Sequence, residues 1–156
     1  MTMQDTEALV RSAFDAYNHH ASDNSWLDRS LAPVADDCEM IDIPQGMTLR
    51  GKDGFKQFLL SWSTAFPNSQ LEITNLFAAE DFAVVEFIGR GTHTGLLQGR
   101  AGDIAPTGKK LEMRNCQVFQ VKDGKIMSVR LYYDAMSMMQ QLGLAPAMGD
   151  FGKVAM

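Results

Sequence analysis

An α+β fold, with helices first and a long antiparallel meander after them, is what this sequence predicts, and two observations carry the expectation. In the first half, apolar residues recur at helical spacing, at Leu9, Val10, Ala13, Phe14 and Tyr17 and again at Phe55, Phe58, Leu59, Trp62 and Phe66. From residue 70 onward, four strand-like runs follow one another across short turn sequences. A sheet formed this way must curl its apolar face around the helices.

Taken in order, residues 5–17 form a first amphipathic helix and residues 18–25 a polar loop. Residues 26–31 form a short second helix, which Pro33 stops because proline disfavours helix in the residue before it. A short strand is expected over 38–43. The stripe from Phe55 to Phe66 defines a third helix, closed by Pro67-Asn68. Strands follow over 70–78, 82–90, 110–121 and 125–133. Glu80-Asp81 and Lys122-Asp123-Gly124 connect them tightly, the second with the Asp-Gly pair that hairpin turns favour. A last helix over 135–142 stops at Gly143. Residues 1–144 thus read as one domain and 145–156 as an irregular tail, without repeats or low-complexity tracts.

Composition narrows the function classes. At 156 residues and 46% hydrophobic, the chain has enough apolar material for one sizeable core, and no apolar run is long enough to span a bilayer. Acids among the first eight residues do not fit a secretory signal, so a cytoplasmic protein is expected. The net charge of -5 comes without a basic cluster interleaved with aromatics, which excludes a nucleic-acid footprint. Cys38 and Cys116 lie far apart in apolar runs and read as buried free thiols. No phosphate loop, dinucleotide fingerprint, nucleophile elbow or metal-ligand spacing is present, so no cofactor and no metal is implied.

Strand alternation picks out the candidate site. On the run Leu111, Met113, Asn115, Gln117, Phe119, Val121 the odd positions make the apolar face, with two amides in its middle. On the next strand Met127, Val129, Leu131 and Tyr133 share a face and line the same interior, while Arg130 and Tyr132 face outward to a subunit interface or to solvent. Buried amides require partners, so Asn115 and Gln117 are either a satisfied core pair or the polar lining of a wet pocket. In the short strand, Cys38, Met40 and Asp42 share one face and Ile41 and Ile43 the other. One phase puts the Asp42 carboxyl in an apolar interior, primed for acid/base work, and the other puts it in water. His93 stands in a polar loop between turn-rich clusters, with a side chain suited to proton transfer. Trp62 and Phe66 are core aromatics that also suit the edge of a cavity for a flat apolar ligand. Asp134 reads as a helix N-cap.

Gly91-Thr92-His93-Thr94-Gly95, Pro106-Thr107-Gly108-Lys109, Asp123-Gly124-Lys125-Ile126, Tyr132-Tyr133-Asp134 and Gln141-Leu142-Gly143 resemble, in order and spacing, the SnoaL-like polyketide cyclase family of the nuclear transport factor 2-like superfamily. The resemblance runs from the first helix to Leu144. It implies a cone-shaped α+β barrel, a bent sheet around a deep apolar pocket, and a homodimer through the outer sheet face. The family's cyclases close a ring by an intramolecular aldol reaction, using an aspartate on the last strand and no cofactor. Here that position falls on Leu131, which cannot carry a proton; a pocket histidine corresponds to Gln117 and a pocket glutamine to Asn115. The same alignment turns Met40, and by parity Asp42, inward.

Three functions from different classes are therefore expected. The first is a cofactor-independent cyclase, isomerase or dehydratase acting on a small polycyclic or aromatic carbonyl compound. Asp42 and His93 are its candidate catalytic residues, and Met40, Trp62, Phe66, Met113, Asn115, Gln117, Leu131 and Tyr133 its candidate ligand-binding residues. The second is a related hydrolase, for instance one that opens an epoxide. The third is a pocket protein that binds a small apolar ligand without catalysis.

Overall fold

The computed structural model describes residues 1–99 and 102–145. Helix α1 (Met3–Asn18) opens with a reciprocal cap in which the Asp5 amide donates to Thr2 Oγ1 and the Thr2 amide to the Asp5 carboxylate, satisfying two amides that have no partner inside the helix. After α2 (Trp26–Leu31) come strands β1 (Val34–Asp42) and β2 (Met47–Arg50), then α3 (Gly51–Ala65). Strands β3 (Gln70–Ala78), β4 (Phe82–Thr92), β5 (Lys110–Lys122) and β6 (Lys125–Tyr133) complete one six-stranded sheet, and α4 (Ala135–Gln141) follows, with Asp134 as its N-cap accepting from the Ser137 amide. The mixed α+β class and the bent sheet agree with the sequence.

The sheet order is β2-β1-β6-β5-β4-β3, and three features differ from a plain meander. First, β1 runs parallel to β6, with Met40 opposite Val129 and Asp42 opposite Leu131, so the first strand closes on the last one made. Second, the four-residue β2 pairs antiparallel with β1; its turn rests on Gly46 at φ 63 and a bond from the Gly46 amide to the Ile43 carbonyl. Third, the β5–β6 ladder slips between Gln120 and Val121: Gln120 pairs with Ser128 and Val121 with Ile126, so Met127 has no opposite number. That bulge turns Ile126, 1% exposed, into the core and leaves Met127 half-buried, correcting the simple alternation expected for β6. Cys116, expected in the core, sits half-buried on the outer face between Glu86 and Tyr132. The segment read as a tail lies, from residue 146 on, outside the described residues.

Helix α1 packs over β3 and β4, and α3 over β1 and β2. Their apolar stripes meet the inner face in one cluster that includes Val10, Phe14, Phe55, Phe58, Val85, Phe87 and Val129. Phe14 stands edge-on to Phe87 with ring centroids 4.9 Å apart. Burying each such side chain contributes roughly 1.5–3 kcal/mol.

The Gly91-to-Gly95 motif has a steric explanation. The Thr94 and Gly95 amides both donate to the Ala65 carbonyl at the end of α3, which pulls the loop backbone against the helix terminus. A Cβ on Gly95 would lie 1.8 Å from the Thr64 carbonyl oxygen, and one on Gly91 would lie 3.0 Å from Phe66 Cβ. A backbone oxygen cannot step aside. Gly95→Ala is therefore expected to destabilise the fold by at least about 2 kcal/mol, at the upper end of overpacking costs; equal denaturant midpoints for variant and parent would show that the loop does not pack this closely.

Candidate functional site: an apolar cavity beside a buried carboxyl

Between the two helices and the sheet lies a cavity of about 120 Å³. Helix α1 supplies Ala13, Phe14 and Tyr17 to its wall, and α3 supplies Phe55, Phe58, Leu59 and Trp62, with Phe66 just beyond the helix. The sheet supplies Phe87 from β4, Met113, Asn115, Gln117 and Phe119 from β5, and Leu131 from β6. Trp62 stacks on Phe66 at 6.1 Å and 20°. The space exists partly because β4 places Gly89 and Gly91 at inward positions, where any side chain would occupy it: a Cβ on Gly89 would touch Leu71 and the Asn115 amide at 3.4 and 3.5 Å.

The cavity's polar groups are few and uncharged. Asn115 Nδ2 donates to the Met113 carbonyl at 2.9 Å. The two amides do not bond to each other, and among the described residues the Asn115 side-chain oxygen and the Gln117 amide have no protein partner. The mutual amide pair, one of the two alternatives open in the sequence, is not formed. Arg90 touches the cavity, but its guanidinium lies outside the sheet, paired with Glu72 and Glu112 at 2.8 Å each.

Asp42 ends β1 on the same face as Cys38 and Met40 and is 4% exposed, so the inward phase is the one adopted. It anchors a closed polar triangle. The Gln45 amide donates to Asp42 Oδ1 at 3.2 Å, while Gln45 Nε2 and the Tyr133 hydroxyl reach Oδ2 at 3.0 and 3.1 Å, and Gln45 Nε2 also donates to the Tyr133 oxygen at 3.0 Å. Burial raises the Asp42 pKa above the usual carboxylate range, against the pull of these hydrogen bonds. Burial and then the neighbouring carboxylate raise the Tyr133 pKa as well, so the phenol keeps its proton. Tyr133 in turn stands edge-on to Trp62, centroids 6.0 Å apart, and Trp62 faces the cavity. The triangle is thus one aromatic ring away from the cavity and next in register to Leu131 in its wall.

Of the ten candidate residues, the structure brings Trp62, Phe66, Met113, Asn115, Gln117 and Leu131 together around the cavity. Asp42 and Tyr133 form the adjacent triangle, and Met40, 1% exposed, packs in the core beneath it. His93 is elsewhere. It is fully buried against Phe66, its Nδ1 faces Thr107 Oγ1 at 3.0 Å and accepts from the Thr107 amide at 3.2 Å, and its backbone bonds to Lys109 and Gly108. Its Nε2 is enclosed without a hydrogen-bond partner among the described residues, and burial lowers its pKa, opposed by the Gly95 backbone. In this position the imidazole fastens the two ends of the loop over residues 93–109 and does not border the cavity. Sequence reasoning missed Gln45, which nothing local marks, and the Tyr17–Ser69 pair described below; a hydroxyl-bearing aromatic on the inward stripe of α1 was the available signal.

No helix among the described residues is long and apolar enough to cross a membrane, and no cluster of three His, Cys, Asp or Glu among them is placed to hold a metal.

A bent sheet straddled by helices around an apolar cavity defines the nuclear transport factor 2-like, or ketosteroid isomerase-like, fold. Within that class the chain belongs to the SnoaL-like polyketide cyclase family, whose model matches residues 9–142. It is similar in structure to a candidate SnoaL-like polyketide cyclase from Jannaschia sp. CCS1, with a TM-score of 0.81 and 18% identity over 93% of this chain and 96% of that one. AclR, a candidate hydroxylase from Streptomyces galilaeus, gives 0.78 and 20% over 99% and 95%, and a candidate polyketide cyclase from Xanthomonas campestris pv. campestris gives 0.74 and 24% over 90% and 98%. At these identities the likeness is one of fold. None of the curated proteins matches the sequence. Family and fold together support a small-molecule enzyme or binder.

Because its folded pKa is raised, Asp42 binds its proton more tightly in the folded chain than in the unfolded one. Its contribution to stability is therefore present below the ordinary aspartate pKa of 3.8 and lost as pH rises through the higher folded value. Carboxyl ¹³C titration by NMR is expected to place Asp42 above 3.8, and a value below it would mean that the Tyr133 and Gln45 hydrogen bonds outweigh burial.

Proposed function

We propose that this chain binds an uncharged aromatic or polycyclic carbonyl compound in the cavity and transforms it without a cofactor, by the proton transfers of a cyclase, isomerase or dehydratase. The observation that carries the reading is the Asp42 carboxyl: buried, raised in pKa, held by the Tyr133 hydroxyl, and next in register to Leu131 of the cavity wall. Leu131 stands where the family's cyclases carry their acid, so the acid/base role falls to the neighbouring strand. Asn115 and Gln117 orient the substrate by hydrogen bonds to an oxygen other than its reacting carbonyl; Trp62, Phe66 and Met113 hold its rings. His93 keeps the loop at the rim in place, and Met40 supports the strand that carries Asp42.

A second reading, a binder without catalysis, is favoured by one observation: among the described residues, no carboxylate or imidazole is part of the cavity wall itself. One experiment separates the two. 1-Tetralone, a bicyclic ketone, is incubated with the protein in D₂O, and deuterium exchange beside its carbonyl is followed by NMR. Acid/base catalysis predicts accelerated exchange that falls by about 100-fold or more in Asp42→Asn, with ketone binding retained. Binding without exchange in the parent protein selects the binder, and an unchanged rate in Asp42→Asn removes the carboxyl from the chemistry.

We also propose a homodimer through the outer sheet face, as the family resemblance implies. A row of outward residues, Phe77, Val84, Val118 and Arg130 with Ile41 beyond it, crosses five strands in register, and Phe77 is 60% exposed. Val118→Glu, in the middle of the row, is expected to shift the sedimentation coefficient from dimer to monomer; a parent protein that sediments as a monomer would refute the assembly.

A further inference from the structure

Besides the Asn115 and Gln117 amides, the cavity has a second polar place formed by two hydroxyls far apart in sequence. Tyr17 Oη and Ser69 Oγ lie 2.8 Å apart, both residues line the cavity, and they are 6% and 7% exposed. The pair is brought together by two constraints. Tyr17 is the last inward residue of α1, where the Asn18 side chain ties the helix end to the backbone of Leu71. Ser69 follows the end of α3 and lies close to β4 because residue 91 is glycine: a Cβ there would fall 3.1 Å from Ser69 Cβ.

One hydroxyl donor of the pair is unused. Each hydroxyl has one proton to give, and their mutual bond uses one of the two. Neither oxygen has another partner among the described residues, so one O–H remains enclosed and unengaged at the cavity wall. Burial pushes the Tyr17 pKa up to about 12, against the Ser69 hydrogen bond, so the phenol stays protonated at any physiological pH.

We propose that the Tyr17–Ser69 pair is an oxygen-binding subsite, which donates a hydrogen bond to a carbonyl or ether oxygen of the ligand. This rests on the reading of the cavity as a ligand site and adds a second polar contact to it. The two places are set apart by the strand itself. Gly91 abuts Ser69 and Gly89 abuts Asn115, and positions two residues apart on one strand are about 7 Å apart. A flat ligand with two oxygens spaced to match meets both, and because the Arg90 guanidinium is turned to Glu72 and Glu112 and the other polar lining groups among the described residues are neutral, an uncharged ligand fits.

The test compares 1-tetralone with tetralin, the same bicycle without the oxygen, by calorimetric titration of the parent protein and of Tyr17→Phe/Ser69→Ala. Removing both partners of a buried pair leaves no orphaned group, so this variant is expected to keep its melting temperature to within a few degrees. The ketone should bind the variant about tenfold more weakly, as for one net hydrogen bond, while tetralin binds both proteins equally. Equal ketone affinity for both proteins overturns the subsite and leaves the cavity reading standing. A loss of ketone affinity in Gln117→Met in place of the double variant also overturns it, because the oxygen then sits at the amides. Failure of both compounds to bind the parent protein overturns the cavity reading and the subsite with it. Should the double variant not fold, NMR of the parent complex decides: contacts from the aromatic proton beside the carbonyl to the Tyr17 ring support the subsite, and contacts only to the Asn115 and Gln117 side chains refute it.

Discussion

The cavity depends on how two helices share one sheet. Helix α1 covers the β3–β4 side and α3 the β1–β2 side, so the middle strands β5 and β6 are bridged from both flanks, with α4 packed only against the start of β5. Large aromatics reach in from either side and meet over β5, yet they leave the strip above Gly89 and Gly91 unfilled. A methyl group's worth of empty volume already costs about 1 kcal/mol in a tightly packed core. A void of this size, walled by aromatic and long apolar side chains and by glycines at the inward positions of β4, is therefore a property the sequence specifies and not a packing accident.

Polar groups in this shell are sorted by charge. The hydroxyl pair of Tyr17 and Ser69 and the amides of Asn115 and Gln117 face the void, and all four are neutral. The ionisable group, Asp42, is set one strand aside, where Gln45 and Tyr133 supply hydrogen bonds that a carboxylate inside the void would lack. Leu131 occupies the wall position next to it. The effect is an apolar wall with an acid directly behind it. Trp62, whose faces meet Phe66 on one side and whose edge meets Tyr133 on the other, is the physical connection between the two.

Much of this was legible in the sequence, and the exceptions share a cause. The helical stripes, the four long strands and the inward phase of Asn115, Gln117 and Leu131 follow from periodicity, because burial of one face imposes it. The phase of Asp42 did not follow, since Ile41 and Ile43 offered an equally apolar alternative; it was decided by the parallel pairing with β6, which places Met40 against Val129 in the core. Strand β2, four residues behind a tight turn, is too short to show a period. Met127 looked inward until the bulge at Gln120 moved Ile126 into its place. His93 attracted attention through its chemistry, whereas its surroundings give it a fastening role between Thr107 and Phe66. Tyr17 and Ser69 are 52 residues apart, and no local pattern joins them.

The parallel pairing of β1 with β6 also sets an order of events as the chain is made. Met40 and Val129 are neighbours in the sheet but about ninety residues apart, so closing them is entropically late, while the hairpins of β3 to β6 involve near neighbours. Helix α3 and β1 leave the ribosome well before β6 exists, and the aromatic stripe that will roof the cavity has no sheet centre to lie on until then. The newborn amino-terminal half must wait with that stripe uncovered. For this architecture, the interval between synthesis of the third helix and of the last strand is the period of greatest exposure to misassociation.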